Sequence, residues 1–454
     1  MSAAVHDEKY WESKAAYVLA ELIKRVPENK IRPRLEPTKR AVELLGDPQR
    51  SYRVIHITGT NGKTSTTRFI ERILREHGLR TGRFTSPHLL KFTERMAIDG
   101  EPVSDEVLYG VYVDIEPVLE MVDQELADQS EARLTFFEAL SVLGFAIFAD
   151  APVDVLVLEV GMGGAWDSTN VADGDVAVFT PVGLDHMDRL GNTISEIAET
   201  KSGIIKQGAL VVTSDQTPDA MQVLNRVSSE KAEGLFTLGK DFSVESQQAT
   251  STGQRVTVSG LAGRYGPFEA PVFGIHQSAN LAVAIAAVEA FLGGGQVPIA
   301  DDVLRSAVAD LSSPGRLQLV RTEPVLLLDG AHNPAGAKTL AVSLKSEFSE
   351  KPLVGLIAVL SDKDVSGIFS ELSGCFKHIV VTESSSNRSL EIGAIEPLAS
   401  EHSGTKTEPV AGVKAALERA RMLAREIDGM VVVTGSISLV GDVLQILQEE
   451  SDAE

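Results

Sequence analysis

The run Val54-Ile55-His56-Ile57-Thr58-Gly59-Thr60-Asn61-Gly62-Lys63-Thr64-Ser65 constrains the fold more than any other part of the chain. An apolar segment ends in a turn bracketed by glycines, and a helical pattern follows at once. Phe69, Ile70, Ile73 and Leu74 fall on one helical face, and Gly78 is placed to end that helix. Strand, tight loop and helix N-terminus together make a site for a polyphosphate. Backbone N–H groups and the positive end of the helix dipole point at the anion, Lys63 neutralises it, and a hydroxyl reaches Mg²⁺. The loop departs from the Walker pattern, which puts four residues between its glycines, because only Thr60 and Asn61 separate Gly59 from Gly62. The expected ligand of Gly59, Thr60, Asn61, Gly62, Lys63, Thr64 and Ser65 is ATP.

At 454 residues the chain exceeds one ordinary core, so two or three domains are expected. A formal charge of −22 argues against nucleic acid, whose backbone such a surface repels. An anionic substrate must therefore be drawn in by local positive charge. Cys375 is the only cysteine, which excludes an intramolecular disulfide and a cysteine zinc site. Met1 to Arg40 is dense in charge and lacks the apolar core of a signal peptide. Ala139 to Ala149, the longest apolar stretch, is too short to span a bilayer and reads as a buried helix. A soluble, cytoplasmic protein with no membrane partner is expected.

Residues 9–47 read as helical, with a stop near Gly46-Asp47-Pro48, and residues 104–126 and 135–149 show helical spacing. Val153 to Val160 and Val176 to Thr180 read as buried parallel strands. A helix is expected from about Thr193 to Lys206, a strand from Ala209 to Thr213, short strands over 234–273, and an alanine-rich helix over 278–292. Leu311-Ser312-Ser313-Pro314-Gly315 interrupts the regular patterns as a linker would. After it, Val325 to Leu328, Leu353 to Val359, His378 to Thr382 and Met430 to Thr434 alternate with helices. The expected fold class is α/β: a P-loop-type, mostly parallel ATPase sheet over residues 1–311, then a smaller Rossmann-like domain over 312–454. The acidic tail from Glu449 to Glu454 reads as a solvated end.

Four further sites bear on the fate of the γ-phosphate. Glu159 ends a buried strand beside Gly161-Met162-Gly163-Gly164, where a carboxylate needs a counter-charge or a metal. His186 ends the next strand, and with Ser86 the three supply a carboxylate, an imidazole and a hydroxyl near the loop. The plainer alternatives are a Glu159 paired with Lys or Arg and a satisfied loop histidine. Lys201 lies on the following helix, where an ordinary surface lysine is the plain reading. Arg316 lies in the linker, where it would stabilise charge developing during phosphoryl transfer. In the second domain, Leu327-Leu328-Asp329-Gly330-Ala331-His332-Asn333-Pro334 is a strand, polar turn and helix start. Thr434-Gly435-Ser436 repeats the design with a hydroxyl at a helix N-terminus, suited to a carboxylate.

In this order and spacing, the motifs resemble the folylpolyglutamate synthase and dihydrofolate synthase family within the Mur ligase superfamily. They are Thr58 to Lys63, Thr85-Ser86-Pro87-His88-Leu89, Leu158 to Gly164, Asp167-Ser168-Thr169-Asn170, Asp185-His186, Lys201-Ser202-Gly203-Ile204, His276-Gln277-Ser278-Ala279-Asn280, Pro314-Gly315-Arg316 and Asp329 to Pro334. The resemblance implies an ATP-dependent ligase joining L-glutamate to a folate or dihydropteroate carboxylate. It implies that Ser86, Glu159 and His186 hold one Mg²⁺, and that Lys201 carries a carbamate and helps hold a second. Asn280, Arg316 and Asp329 would contact nucleotide, and Phe137, Glu138, Asp167, Ser168 and Thr169 the pterin substrate. His332 and Ser436 would position the incoming glutamate. It further implies a monomer.

Two departures stand out: Thr64 fills a place where many relatives have glycine, and Ala165-Trp166 stands where an arginine is common. A peptidoglycan Mur ligase shares the chemistry, but the chain before Gly59 is too short for the nucleotide-sugar domain those enzymes place there. A nucleotide-dependent switch would leave Arg316 and the Asp329 to Pro334 turn unexplained.

Overall fold

The computed structural model describes residues 8–27 and 32–453. The chain packs as two units, one of Met1–Val244, Val258–Gly266 and Asn280–Ala307, the other of Glu245–Thr257, Pro267–Ala279 and Val308–Glu454.

Eight strands form the sheet of the first unit among the described residues: β1 Arg53–Thr58, β2 Thr81–Phe84, β3 Met96–Ile98, β4 Glu101–Pro102, β5 Val155–Glu159, β6 Val176–Phe179, β7 Leu210–Thr213 and β8 Gly234–Thr237. Their order is β4-β3-β2-β5-β1-β6-β7-β8. From β2 to β8 the pairing is parallel, while β3 and β4 add an antiparallel edge. Val155, Leu156, Val157 and Leu158 are all buried, as a central parallel strand covered on both faces requires. Register sets the site. Ile57 pairs with Glu159, Thr58 with Phe179, and Phe84 with Leu158, so the C-terminal ends of β2, β5, β1 and β6 lie side by side. Glu159 ends β5, and the loops after β2, β1 and β6 carry Ser86, the glycine loop and His186. This is the crevice edge where open α/β sheets bind ligands.

The helices follow their end signals. Thr135 and Glu138 form a reciprocal capping box at the start of the helix Phe136–Asp150, and Ser104 caps Asp105–Asp128. The expected continuous helical stretch over 9–47 is instead two helices, Glu8–Ile23 and Glu36–Leu44, and part of the segment between them lies outside the described residues. Pro33 and Pro37 suit a helix start better than a helix interior.

A three-stranded sheet follows, of β9 Ser243–Thr250, β10 Gly253–Ser259 and β11 Arg264–Ala270. The second unit has its own sheet of β12 Gln318–Val320, β13 Leu326–Leu328, β14 Leu353–Ile357, β15 His378–Val381, β16 Thr407–Pro409 and β17 Met430–Thr434, ordered β12-β13-β17-β14-β15-β16. It is parallel apart from β12, which pairs antiparallel to β13. The helix Ile437–Ala453 takes in most of the acidic tail. Glu450 there is bidentate to Arg421 (2.9 Å on each arm), so the tail is tied down rather than merely solvated. One described helix, Ile275–Gly293, is long and apolar enough to cross a membrane, and 78% of its apolar window is buried inside the protein.

Candidate active site

The phosphate loop is bound to its neighbours at every turn. The Thr60 N–H donates to the Pro181 carbonyl (2.8 Å), and the Thr60 hydroxyl donates to the Gly183 carbonyl (3.0 Å) and accepts from the Gly183 N–H (2.9 Å). Gly59 runs at φ 150°, and a Cβ there would stand 1.9 Å from the Thr180 hydroxyl, so only glycine fits. Gly62, at φ 90°, precedes the helix Lys63–Glu76 beside Asn280. The Lys63 ammonium folds back over the loop, donating to the carbonyls of Gly59 (3.1 Å) and Thr60 (3.3 Å).

Glu159 is 1% exposed, and its Oε1 accepts from the Thr64 hydroxyl at 2.9 Å. Thr64, the departure noted in the sequence, thus orients the carboxylate at the end of β5. Ser86 lies two residues past β2, and His186 sits in left-handed backbone (φ 50°) at the start of a short helix, with its N–H on the Asp185 carboxylate (2.9 Å). Among the described residues no group of three or more His, Cys, Asp or Glu is gathered to hold a metal by itself. The buried carboxylate, the hydroxyls and the imidazole nonetheless fit Mg²⁺ beside a polyphosphate, because that ion keeps waters and takes phosphate oxygens to fill its shell.

Lys201 is buried rather than at the surface, with 4% exposure, and its ammonium donates to the Gly59 carbonyl at 2.8 Å. Burial, with Lys63 nearby, lowers its pKa to about 7. The glycine turn makes this approach possible. A Cβ on Gly164 would stand 2.7 Å from the Lys201 carbonyl, and the Ala165 N–H donates to Thr200 (2.8 Å).

Of the residues implied for the pterin, Phe137 is half-buried, packs against Gly161 and meets Phe84 edge-on at 6.2 Å between centroids. Glu138 is occupied internally: it caps its helix and binds Arg34 through both oxygens (2.8 and 3.0 Å). Asp167 is likewise engaged, accepting from the N–H of Met162 (2.8 Å) and of Thr169 (3.0 Å) and from the Thr169 hydroxyl (2.6 Å). Burial pushes its carboxyl up, and these hydrogen bonds pull it back. The Thr169 hydroxyl spends its proton on Asp167, so its 2.9 Å contact with His56 requires His56 to carry hydrogen on Nε2. Burial, together with the charge of Lys206, lowers the His56 pKa to about 3, so the ring stays neutral. This network joins the centre of β1 to the turn after Glu159. Its sequence signal is a histidine inside an otherwise apolar strand, with no role assigned to it there. Ser168 is buried beside these residues in sequence.

The second unit holds the other candidates. Asp329 follows β13 and accepts from the N–H of Leu317 and Ala331 (both 2.9 Å). Burial raises its carboxyl, while Arg316 and those bonds lower it. Arg316 donates to the Gly315 carbonyl (3.1 Å). His332 Nδ1–H donates to the Gly330 carbonyl (2.8 Å), which fixes the tautomer with Nε2 as the acceptor. The Ser436 hydroxyl is fully buried and caps its helix by accepting from the Leu439 N–H (3.1 Å).

Comparison with known proteins agrees with this geometry. Residues 57–288 match the Mur ligase middle domain, and residues 315–437 match the Mur ligase glutamate ligase domain. The chain is 42% identical over 393 residues to the dihydrofolate synthase/folylpolyglutamate synthase of Mycobacterium tuberculosis, covering 84% of this chain and 81% of that protein. A solved structure of M. tuberculosis folylpolyglutamate synthase complexed with ADP superposes with a TM-score of 0.91 at 39% identity, over 96% of this chain and 98% of that one. Escherichia coli FolC in complex with DHPP and ADP superposes at 0.82 and 25% identity, over 97% and 98%.

Proposed function

The chain belongs to the folylpolyglutamate synthase and dihydrofolate synthase family of Mur ligases, and from that premise we propose that it ligates L-glutamate to a folate or dihydropteroate carboxylate at the expense of ATP. The observation that carries this reading is the phosphate loop with the buried Lys201 ammonium on its Gly59 carbonyl and the Thr64–Glu159 bond at its rim. A carboxylate is a poor acylating agent, because its leaving group would be oxide. Transfer of the γ-phosphoryl gives an acyl phosphate. The amine of glutamate then attacks the acyl carbon, and the tetrahedral adduct collapses with loss of phosphate and a proton.

The residues divide this work. The loop N–H groups and Lys63 bind the polyphosphate, and Asn280, Arg316 and Asp329 contact nucleotide. Ser86, Glu159 and His186 would hold Mg²⁺, with Thr64 orienting Glu159. The ion supplies charge neutralisation on the phosphoryl oxygens. The neutral amine of Lys201 can add to CO₂ with release of a proton, and the resulting carbamate would help hold a second Mg²⁺. Phe137 packs on the pterin, while Glu138, Asp167, Ser168 and Thr169 shape the walls of its site. His332 and Ser436 position the incoming glutamate. The enzyme works as a cytoplasmic monomer on small molecules, without nucleic acid or membrane.

The test is phosphate release from MgATP and L-glutamate with dihydropteroate and tetrahydrofolate supplied separately, and products weighed by mass spectrometry. Each accepted substrate gains one glutamate per phosphate released. Stimulation by both marks a bifunctional ligase. No stimulation by either, from folded protein that binds ADP, overturns the reading.

A further inference from the structure

Arg68 is a cation that the ligase reading leaves without a task. It lies on the helix Lys63–Glu76, one turn beyond Thr64 and on the same face, since residues four apart are neighbours on a helix. The Thr64 hydroxyl on that face holds Glu159. Around Arg68 the charges are Arg83, Glu94, Glu71 and Glu159. Every one of these carboxylates is held by other groups. Glu71 accepts from the Thr81 hydroxyl (2.7 Å) and from Arg83 (3.1 Å). Glu94 accepts the N–H groups of Leu89, Leu90 and Lys91 (2.9, 2.9 and 2.8 Å), which shapes the loop after Ser86. Glu159 has Thr64. Among the described residues, Arg68 itself makes no hydrogen bond and no ion pair.

A half-buried guanidinium without a partner is costly, because desolvation is not repaid by contact. Burial, reinforced by Arg83, lowers its pKa to about 10, so the group remains a cation at neutral pH. In a chain of net charge −22, local positive charge beside the phosphate loop is what an anionic substrate needs. Arginine offers a planar fork of donors matched to a carboxylate or phosphoryl group.

We propose that Arg68 is a substrate-binding residue that donates to an anionic oxygen of the reacting pair, on the acyl carboxylate or on the phosphoryl group passed to it. The proposal rests on the ligase reading above. It adds a second cation to Lys63, placed on the side of the Ser86 loop rather than over the phosphate loop.

Arg68→Gln and Arg68→Lys test it, with melting temperature, affinity for ADP and for the β,γ-methylene analogue of ATP, and kcat and KM for the folate substrate. Arg68→Gln is expected to lose about 100-fold in kcat/KM, the scale of one lost donor to a developing charge. Its ADP affinity should stay that of the wild type, and its melting temperature should hold or rise, because an uncompensated desolvated charge is removed. Arg68→Lys, which keeps the charge but loses the fork, should recover part of that loss. A carboxylate partner appears as a raised KM for the folate with unchanged nucleotide binding. A phosphoryl partner appears as weakened binding of the analogue with unchanged binding of ADP. Turnover of Arg68→Gln within threefold of wild type overturns the proposal. So does a parallel fall in melting temperature and ADP affinity, which marks a structural role. Wild-type protein that fails to turn over would instead sink the ligase reading itself.

Discussion

Lys201 shows how far burial can move a single group. An exposed lysine keeps its proton well above neutral pH, but here burial and Lys63 bring the pKa to about 7, so free amine is present near neutral pH. Only the free amine can add to CO₂. The unfolded chain holds this proton up to about pH 10.5 and the folded chain releases it near 7. The folded state is therefore penalised in full below pH 7, and stability rises as pH climbs from about 7 towards 10.5. Denaturation midpoints measured without CO₂ should show this rise in the wild type and lack it in Lys201→Met, and added bicarbonate should raise kcat only in the wild type. Parallel midpoint curves would mean that Lys201 is not desolvated as described. Glu138 and Ser436 make the contrasting point. The family resemblance implied substrate roles for both, and the fold adds an internal duty: their oxygens serve a helix cap and, for Glu138, an ion pair with Arg34.

The strand–loop–helix element from Arg53 to Glu76 works because its loop passes close to the end of β6. Gly59→Ala would place a methyl group 1.9 Å from the Thr180 hydroxyl and 2.9 Å from its carbonyl, in backbone that favours glycine. The loop must shift to relieve the clash. ADP affinity is expected to fall at least tenfold, about 1.4 kcal/mol or more, with calorimetric titration as the measurement. Gly110→Ala is the control. Gly110 lies within the helix Asp105–Asp128 with nothing within 4 Å of a new Cβ, so the change should stabilise by about 0.5–1 kcal/mol and leave ADP binding alone. Wild-type ADP affinity in Gly59→Ala would show that the loop tolerates displacement.

At the scale of the whole molecule, the two units interleave along the chain. The second unit recruits residues from 245–257 and 267–279, well before the linker pattern at 311–315. Phe273 meets Phe348 in a tilted contact, 5.3 Å between centroids, and the Gly274 N–H donates to Glu347 (2.9 Å), all within that unit. Phe273→Ala should cost about 2–3 kcal/mol, less than the roughly 3–5 kcal/mol of a fully buried phenylalanine because Phe273 is only partly buried. Faster hydrogen exchange across the helix Pro334–Glu347 would report it. Unchanged exchange there would mean that the unit needs nothing from before residue 308.

Much of the fold was legible because local signals are strong where strands are buried on both faces and helices carry caps. Val155 to Leu158 and the Lys63–Glu76 helix lie where periodicity and glycine placed them. Edge pieces such as β12, β16 and the β3–β4 hairpin were not read, since two- or three-residue strands are defined by their partners rather than by their own sequence. The chemical identities of Lys63, Glu159, His186 and Ser86 came from sequence, because strand ends and glycine turns are local features. The burial of Lys201, the Nε2–H tautomer of His56, the engagement of Asp167 and the unbonded guanidinium of Arg68 came only from tertiary structure. Each depends on what distant segments bring within hydrogen-bonding distance and on how much water they exclude. Those are sums over the folded neighbourhood, and no window of sequence contains them.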